Sequence, residues 1–264
     1  MAPDRATPRQ QPSVARQQPS ANDDQRDGGD EVVAERQKQA AARAAAELVR
    51  DGMRVGLGTG STVAYLLGAL AERGPRELRC VATSPATARA ARALGLKIEE
   101  LDAVGELDIA IDGADQIDPR GWLVKGGGAA HTREKIVAAA ARRFVVIASA
   151  EKAVARLGPP VPLEVLRFGA ERTLAALGDA RLRGDLESPD GNPIADYFGP
   201  VGAPASLAAR LSATPGVVEH GLFAPELVSE ILISGGGSSR EGEVAVQRRA
   251  GGKRAGDGAG DRPD

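Results

Sequence analysis

Two hydrophobic rhythms alternate along this chain: short unbroken apolar runs, and longer stretches in which apolar residues return every three or four positions. The stretch "EVVAERQKQAAARAAAELVR" predicts a helix that closes at Asp51-Gly52, where glycine can take the left-handed conformation. "RVGLG" predicts a short buried strand. Val63, Leu66, Leu67 and Leu70 then place one apolar face on a helix from Ser61 to Arg73, with Ser61 or Thr62 as its cap. "LRCVAT" predicts a second strand, and Ser84-Pro85 the cap and first turn of a helix that runs to Leu94 and stops at Gly95. "LKIEE" and "LDIAI" follow as a third and fourth strand, "TREKIVAAAAR" as a helix and "RFVVIAS" as a fifth strand. Strands alternating with helices imply an α/β fold, a parallel sheet with helices on its faces.

The rhythm changes after Leu157, where "PPVPLEV" marks a boundary. Beyond it the pattern predicts a helix over Ala170 to Leu177, a strand in "ARLRGDL", a turn at Asp190-Gly191-Asn192, a helix in "PASLAARLSA" and strands around Val217 and in "VSEILIS". Two helices on a small antiparallel sheet make a second, α+β unit of ferredoxin-like type. The expected organisation is an α/β domain over 31–157, completed by 228–246, and a smaller domain over 158–227. Residues 1–30 and 247–264 are rich in Pro, Gln, Gly and charge and poor in large apolar residues, so both are expected to be disordered tails. No repeat of fixed period is present.

Composition narrows the classes. A formal charge of −2 with Lys and Arg spread throughout offers no basic face for nucleic acid. The chain has no apolar run of about 18 residues and no secretory core near its start, so neither membrane insertion nor export is expected. Cys80 has no second cysteine to pair with and sits in an apolar strand, which fits a buried thiol in a reducing cytoplasm.

Three motifs carry candidate chemistry. "GLGTGST", Gly56 to Thr62, joins a strand to a helix; glycines allow close backbone approach, and free amides at the helix start attract an anion. The turn lacks the GxGxxG register and a ribose-binding acid some 20 residues on, which favours a single phosphate over a dinucleotide, with a plain tight turn as the bland alternative. "DGAD", Asp112 to Asp115, follows a strand directly and so lies at a carboxyl end of the sheet; its two carboxylates suit hydroxyl proton transfer, metal binding or an Asx turn. Metal is disfavoured, because His131 and His220 are the sole histidines and neither has partners at ligand spacing. "KGGGAAHTREK" supplies a cation, Lys125, a glycine turn whose amides could all point at one oxygen, and Glu134 in the first turn of a helix that Thr132 could cap.

In this order and spacing, GLGTGST, DGAD and KGGGAAHTREK closely resemble the type A ribose-5-phosphate isomerases. The resemblance runs from about Lys38 through Thr83-Ser84, "ASAEK", "VPLEV" and "DGN" to "GVVEHGLF". It implies a doubly wound, mostly parallel Rossmann-like α/β domain with a smaller α+β domain, and a cofactor-free, metal-free aldose–ketose isomerase that interconverts D-ribose 5-phosphate and D-ribulose 5-phosphate through an enediolate. It also implies a homodimer or homotetramer whose partner is a small phosphosugar. On this basis Glu134 matches the family's proton-abstracting base, Asp112 and Asp115 its paired acids, and Lys125 with Gly126, Gly127 and Gly128 the part that stabilises the enediolate. Thr59, Gly60, Ser61, Thr62, Gly113 and Ala114 match its substrate-binding backbone and hydroxyls, and Lys38 and Lys152 the basic residues at the anionic end. Gln116 stands where the family commonly has glutamate, Ser149 and Glu151 differ ahead of Lys152, and Ser188 to Asn192 is a looser turn. The same fold also serves sugar-phosphate sensors in transcriptional regulators and parts of CoA transferases. A regulator would need a DNA-binding unit, for which the segment before the first helix is too short and too polar.

Overall fold

Short apolar runs leave backbone N–H and C=O groups unpaired unless they lie side by side, and here, among the described residues, they assemble into three sheets. The computed structural model describes residues 21–235 and 243–248. It divides into two compact units, Met1–Val33 and Ala34–Asp264. The described part of the first is the opening of helix α1, Ala21–Ala46. α1 therefore takes in residues 21–30, which composition assigned to a tail, and ends at Ala46 ahead of Asp51-Gly52. A helix satisfies its own backbone through i→i−4 bonds whatever its polarity, and composition does not register that. The expected tails over 1–20 and 249–264 lie outside the described residues.

In the second unit the chain runs through β1 (Arg54–Leu57), α2 (Ser61–Arg73), β2 (Arg79–Ala82), α3 (Pro85–Ala93), α4 (Leu101–Val104) and β3 (Ile109–Asp112). It continues through β4 (Gln116–Ile117), β5 (Leu123–Val124), α5 (His131–Ala140), β6 (Phe144–Ser149) and β7 (Val161–Val165). Then come α6 (Ala170–Leu177), β8 (Ala180–Glu187), β9 (Pro193–Tyr197), α7 (Pro204–Ser212), β10 (Val217–His220), β11 (Leu222–Phe223), β12 (Glu230–Ser234) and β13 (Val244–Arg248). The six-stranded sheet has the order β13-β12-β6-β3-β1-β2 and is parallel except for β13 at one edge. Ile109, Ile111, Val145 and Ile147 pack with α1 and α2 on one face, while Ala110, Phe144, Val146 and Ala148 pack with α5 on the other. Burial on both faces explains why these strands are continuous apolar runs without alternation. The chain leaves β1 towards β2 and then returns to β3 on the opposite side, so the strand order reverses between β1 and β3. A doubly wound sheet opens its ligand crevice at the carboxyl ends of such a pair.

β10-β7-β9-β8 form the small antiparallel sheet, with α6 and α7 packed on one face through Leu163, Val165, Leu177, Leu207 and Leu211. "LKIEE" is not a strand: Ile98 makes one bridge to Cys80 and the chain turns into the short α4. The sequence pattern also missed a three-stranded ribbon, β11-β5-β4, whose strands are two residues each and too short to show a period.

Candidate active site

The crevice between β1 and β3 is built on close backbone approach. A Cβ on Gly58 would stand 1.9 Å from the Asp112 carboxyl carbon, so only glycine lets the first motif pass over that carboxylate. Asp112 Oδ1 then accepts the Thr59 amide at 3.1 Å and the Gly113 amide at 2.7 Å. α2 starts at Ser61 with Gly60 (φ 117°) as N-cap and no side-chain cap; Ser61 is exposed and Thr62 half-buried in its first turn. Neither hydroxyl caps the helix as expected, which leaves the first amides of α2 to another acceptor. The loop is braced from β2. Thr59 Oγ1 meets Thr83 Oγ1 at 2.8 Å, Thr87 donates to the Gly58 carbonyl at 2.8 Å, and Ser84 caps α3 by accepting the Thr87 amide.

The ribbon β4–β5 folds the chain after DGAD back on itself, so Lys125 returns beside Asp112. Lys125 is buried; its Nζ donates to the Gly113 carbonyl at 2.7 Å and lies 2.9 Å from Asp112 Oδ2 and 3.0 Å from Glu134 Oε2. Neither of those carboxylate oxygens has an aligned hydrogen-bond donor, so charge more than directed bonding joins the cluster. Burial, reinforced by the Asp112 charge, pushes Glu134 up to about 8, against the pull of Lys125. Burial also raises Asp112, opposed by Lys125 and the two amides. For Lys125 burial acts downwards, but Asp112 and Glu134 outweigh it and hold the ammonium above its ordinary range. Asp112 has two amides as well as the ammonium to favour its charged form, and Glu134 has the ammonium alone.

Glu134 lies in the first turn of α5, whose neighbouring residues are tied to the small sheet. Thr132 does not cap the helix, since the N-cap is Ala130; its hydroxyl donates instead to the buried Glu164, which also accepts from Ser188 and Asn192. Arg133 pairs with Asp190 at 2.7 Å and Lys135 with Glu219 at 2.7 Å. His131 is fully buried, and burial lowers it to about 4, so it is neutral at pH 7. Phe223 lies between the two lysines, 5.5 Å from Lys125 Nζ and 4.9 Å from Lys135 Nζ.

Asp115 is exposed and accepts the Gly127 amide at 2.9 Å, and its charge adds to those that raise Glu134. Gly126 (φ 108°) is buried and Gly127 and Gly128 are exposed. The Gly127 amide is on Asp115, and the Ala129 amide closes the turn on the Gly126 carbonyl. Ala114 is half-buried behind Asp115. Lys38 pairs with Glu35 at 2.6 Å and Lys152 with Glu151 at 3.4 Å. Gln37 joins their two segments by accepting the Ala150 amide at 3.0 Å. Gln116 holds the Gly158 backbone with both ends of its amide, at 2.8 and 3.1 Å. Among the described residues no group of three His, Cys, Asp or Glu could hold a metal ion, and no helix is long and apolar enough to cross a membrane.

A family model described as ribose 5-phosphate isomerase A (phosphoriboisomerase A) matches residues 79–237. The ribose-5-phosphate isomerase A of Caulobacter vibrioides strain NA1000 / CB15N is 46% identical over 231 residues, covering 82% of this chain and all of that one. Among solved structures, ribose 5 phosphate isomerase A from Neisseria gonorrhoeae superposes with a TM-score of 0.76 at 31% identity, covering 81% of this chain and 97% of the other. A D-ribose-5-phosphate isomerase in complex with phospho-erythronic acid gives a TM-score of 0.75 at 35% identity, covering 82% and 99%.

Proposed function

The chain belongs to the ribose 5-phosphate isomerase A family and interconverts D-ribose 5-phosphate and D-ribulose 5-phosphate, and we propose that Glu134 is the base that carries the proton between C1 and C2. The observation that supports this most directly is the buried cluster, with Lys125 Nζ 2.9 Å from Asp112 and 3.0 Å from Glu134. A carboxylate poised near 8 is basic enough to take a proton from carbon next to a carbonyl, and once protonated acidic enough to return it. Removing the C2 proton of the open-chain aldose leaves an enediolate with its charge on O1. Lys125 and the glycine-turn amides meet that charge, and Glu134 delivers the proton to C1 to give the ketose. Asp112 moves the hydroxyl proton between O2 and O1. Asp115, at the exposed rim, assists opening of the sugar ring.

The phosphate lies at Thr59, Gly60, Ser61 and Thr62, where the uncapped start of α2 presents its amides, and Lys38 and Lys152 complete the grip. Gly113 and Ala114 line the sugar between the two ends, and no metal or organic cofactor takes part. The enzyme works in the cytoplasm as a homodimer or homotetramer. Leu166, Phe168, Leu182 and Phe198 support assembly, since the small-sheet unit exposes them, Phe168 by 94%. Light scattering after size exclusion tests this, with a monomer at micromolar concentration refuting it. The test of the chemistry is conversion of ribose 5-phosphate in EDTA by wild type and Glu134→Gln. Wild type is expected to remain active and the variant to lose at least about a hundredfold; an active variant removes Glu134 from the role of base.

A further inference from the structure

Arg183 is on β8, in the small sheet, at a place where the ladder to β9 loses register between Leu182 and Glu187. Such irregularities re-aim side chains, and this one sends a guanidinium to the glycine turn of the large domain. Arg183 Nε donates to Asp196 Oδ2 at 2.7 Å and Nη2 to Asp196 Oδ1, a fork that leaves Nη1 fixed in direction. Both hydrogens of Nη1 are used: it donates to the Gly126 carbonyl and to the Gly127 carbonyl, each at 3.1 Å.

That arrangement has a geometric consequence. In a trans peptide the C=O of one residue and the N–H of the next point in opposite directions. A cation that gathers the Gly126 and Gly127 carbonyls on one side therefore turns the Gly127 and Gly128 amides to the other. The Gly127 amide does point away from Arg183, at the Asp115 carboxylate 2.9 Å off. An anion on one side and a guanidinium on the other also polarise the peptide between them, which strengthens its N–H as a donor. Space beside the turn is tight: a Cβ on Gly127 would come 3.0 Å from Asp115 Oδ1, and one on Gly128 3.1 Å from Thr59 Cγ2, so either side chain would have to give by a few tenths of an ångström.

We propose that Arg183, held by Asp196, is a positioning residue that sets the anion hole of this isomerase by aiming the Gly127 and Gly128 amides at the developing enediolate oxygen. The inference rests on the glycine turn being the place where that oxygen sits. Asp115 occupies the Gly127 amide as a stand-in for the substrate oxygen and yields it when the sugar binds. Lysine cannot replace the arginine, because one ammonium cannot fork onto Asp196 and also hold two carbonyls in a fixed plane.

The experiment compares wild type, Arg183→Lys, Arg183→Met and Glu134→Gln by kcat, KM, melting temperature and affinity for phospho-erythronic acid, whose planar carboxylate presents the oxygens of an enediolate. For both Arg183 variants kcat is expected to fall roughly 10- to 100-fold, a part of what losing a whole oxyanion donor costs. KM should stay within about threefold, and affinity for phospho-erythronic acid should fall by about the same factor as kcat, as expected when only transition-state contacts are lost. Arg183→Lys keeps the charge and carries the test if Arg183→Met does not fold. Unchanged kcat in Arg183→Lys, or losses that follow melting temperature while substrate and analogue weaken equally, would make Arg183 an ordinary strut and overturn the proposal. If Glu134→Gln is itself fully active, the site assignment falls; if it is inactive while Arg183→Lys is normal, only the present inference falls.

Discussion

Glu134→Gln should abolish activity and at the same time stabilise the protein, increasingly so as pH rises. The folded state holds the Glu134 proton up to about 8, whereas an ordinary glutamate releases it near 4.5. A raised carboxylate contributes its stability in full below the unfolded value and loses it as pH climbs towards the folded one, because the unfolded chain gives up the proton first. With these two values the ionisable side chain costs the fold about 1 kcal/mol at pH 5 and about 3 kcal/mol at pH 7. Glutamine does not titrate, so the variant escapes a cost that grows by about 2 kcal/mol over that interval. Lys125 keeps Asp112 as counterion in the variant and stays charged throughout, so its loss of Glu134 adds an offset that does not vary with pH. In a domain of this size the difference widens the gap in melting temperature between variant and wild type by roughly 4–8 °C. The assay is thermal or urea unfolding of both proteins from pH 5 to pH 8 at fixed salt. A gap that stays constant over that range would show that Glu134 is not strained by burial, and the reasoning for its basicity would go with it.

Three further outcomes follow from the same geometry. For wild type, kcat/KM should rise with pH and level off above an apparent value of about 8, since the free enzyme must ionise Glu134 before it can accept a proton; a flat profile between pH 6 and pH 9 contradicts this. Lys125→Met leaves the buried Asp112 carboxylate, and Glu134 once it ionises, without a cation, so kcat should drop by at least about 10² and stability by about 3–5 kcal/mol at neutral pH. The stability loss should shrink in acid as the carboxylates protonate, which denaturation at pH 5 and pH 8 would reveal. Gln116→Glu removes the donor to the Gly158 carbonyl and sets a carboxylate oxygen against it, at a cost of roughly 1–3 kcal/mol. Its kcat should change little because Gln116 is outside the Lys125 cluster, and a large fall in kcat at full stability would place it inside the chemistry.

What the sequence conveyed well was whatever depends on residues close together in the chain. α2 and α6 occupy the expected residues, and Ser84-Pro85 opens α3 as its cap and first turn, because apolar spacing and capping are local. The motif spacing was enough to place GLGTGST and DGAD at carboxyl ends of strands. Local signals failed where a different bond was available in space. Thr132 looked like a cap and instead serves Glu164, and Ser61 sits inside the helix it was expected to cap. "LKIEE" had strand composition but among the described residues finds one bridge, from Ile98 to Cys80 beside the edge strand β2.

The candidate site divides along the same line. Asp112, Lys125 and Glu134 could be named from motifs and resemblance, yet nothing in the chain order says that one ammonium touches both carboxylates, or that Asp115, three residues from Asp112, accepts the Gly127 amide. Thr87 and Arg183 had no motif to announce them, and Thr83 and Glu164 lay in stretches of the resemblance without a role of their own; all four brace the loop before α2, the first turn of α5 and the glycine turn from other elements. By itself the sequence determined most of the longer elements and their alternation and nominated candidate groups for the chemistry, since helix, strand and turn preferences act over a few residues. Only the tertiary structure decided how basic Glu134 is and which way the glycine amides face, because burial, charge proximity and a guanidinium from a distant strand act through space and leave no local trace.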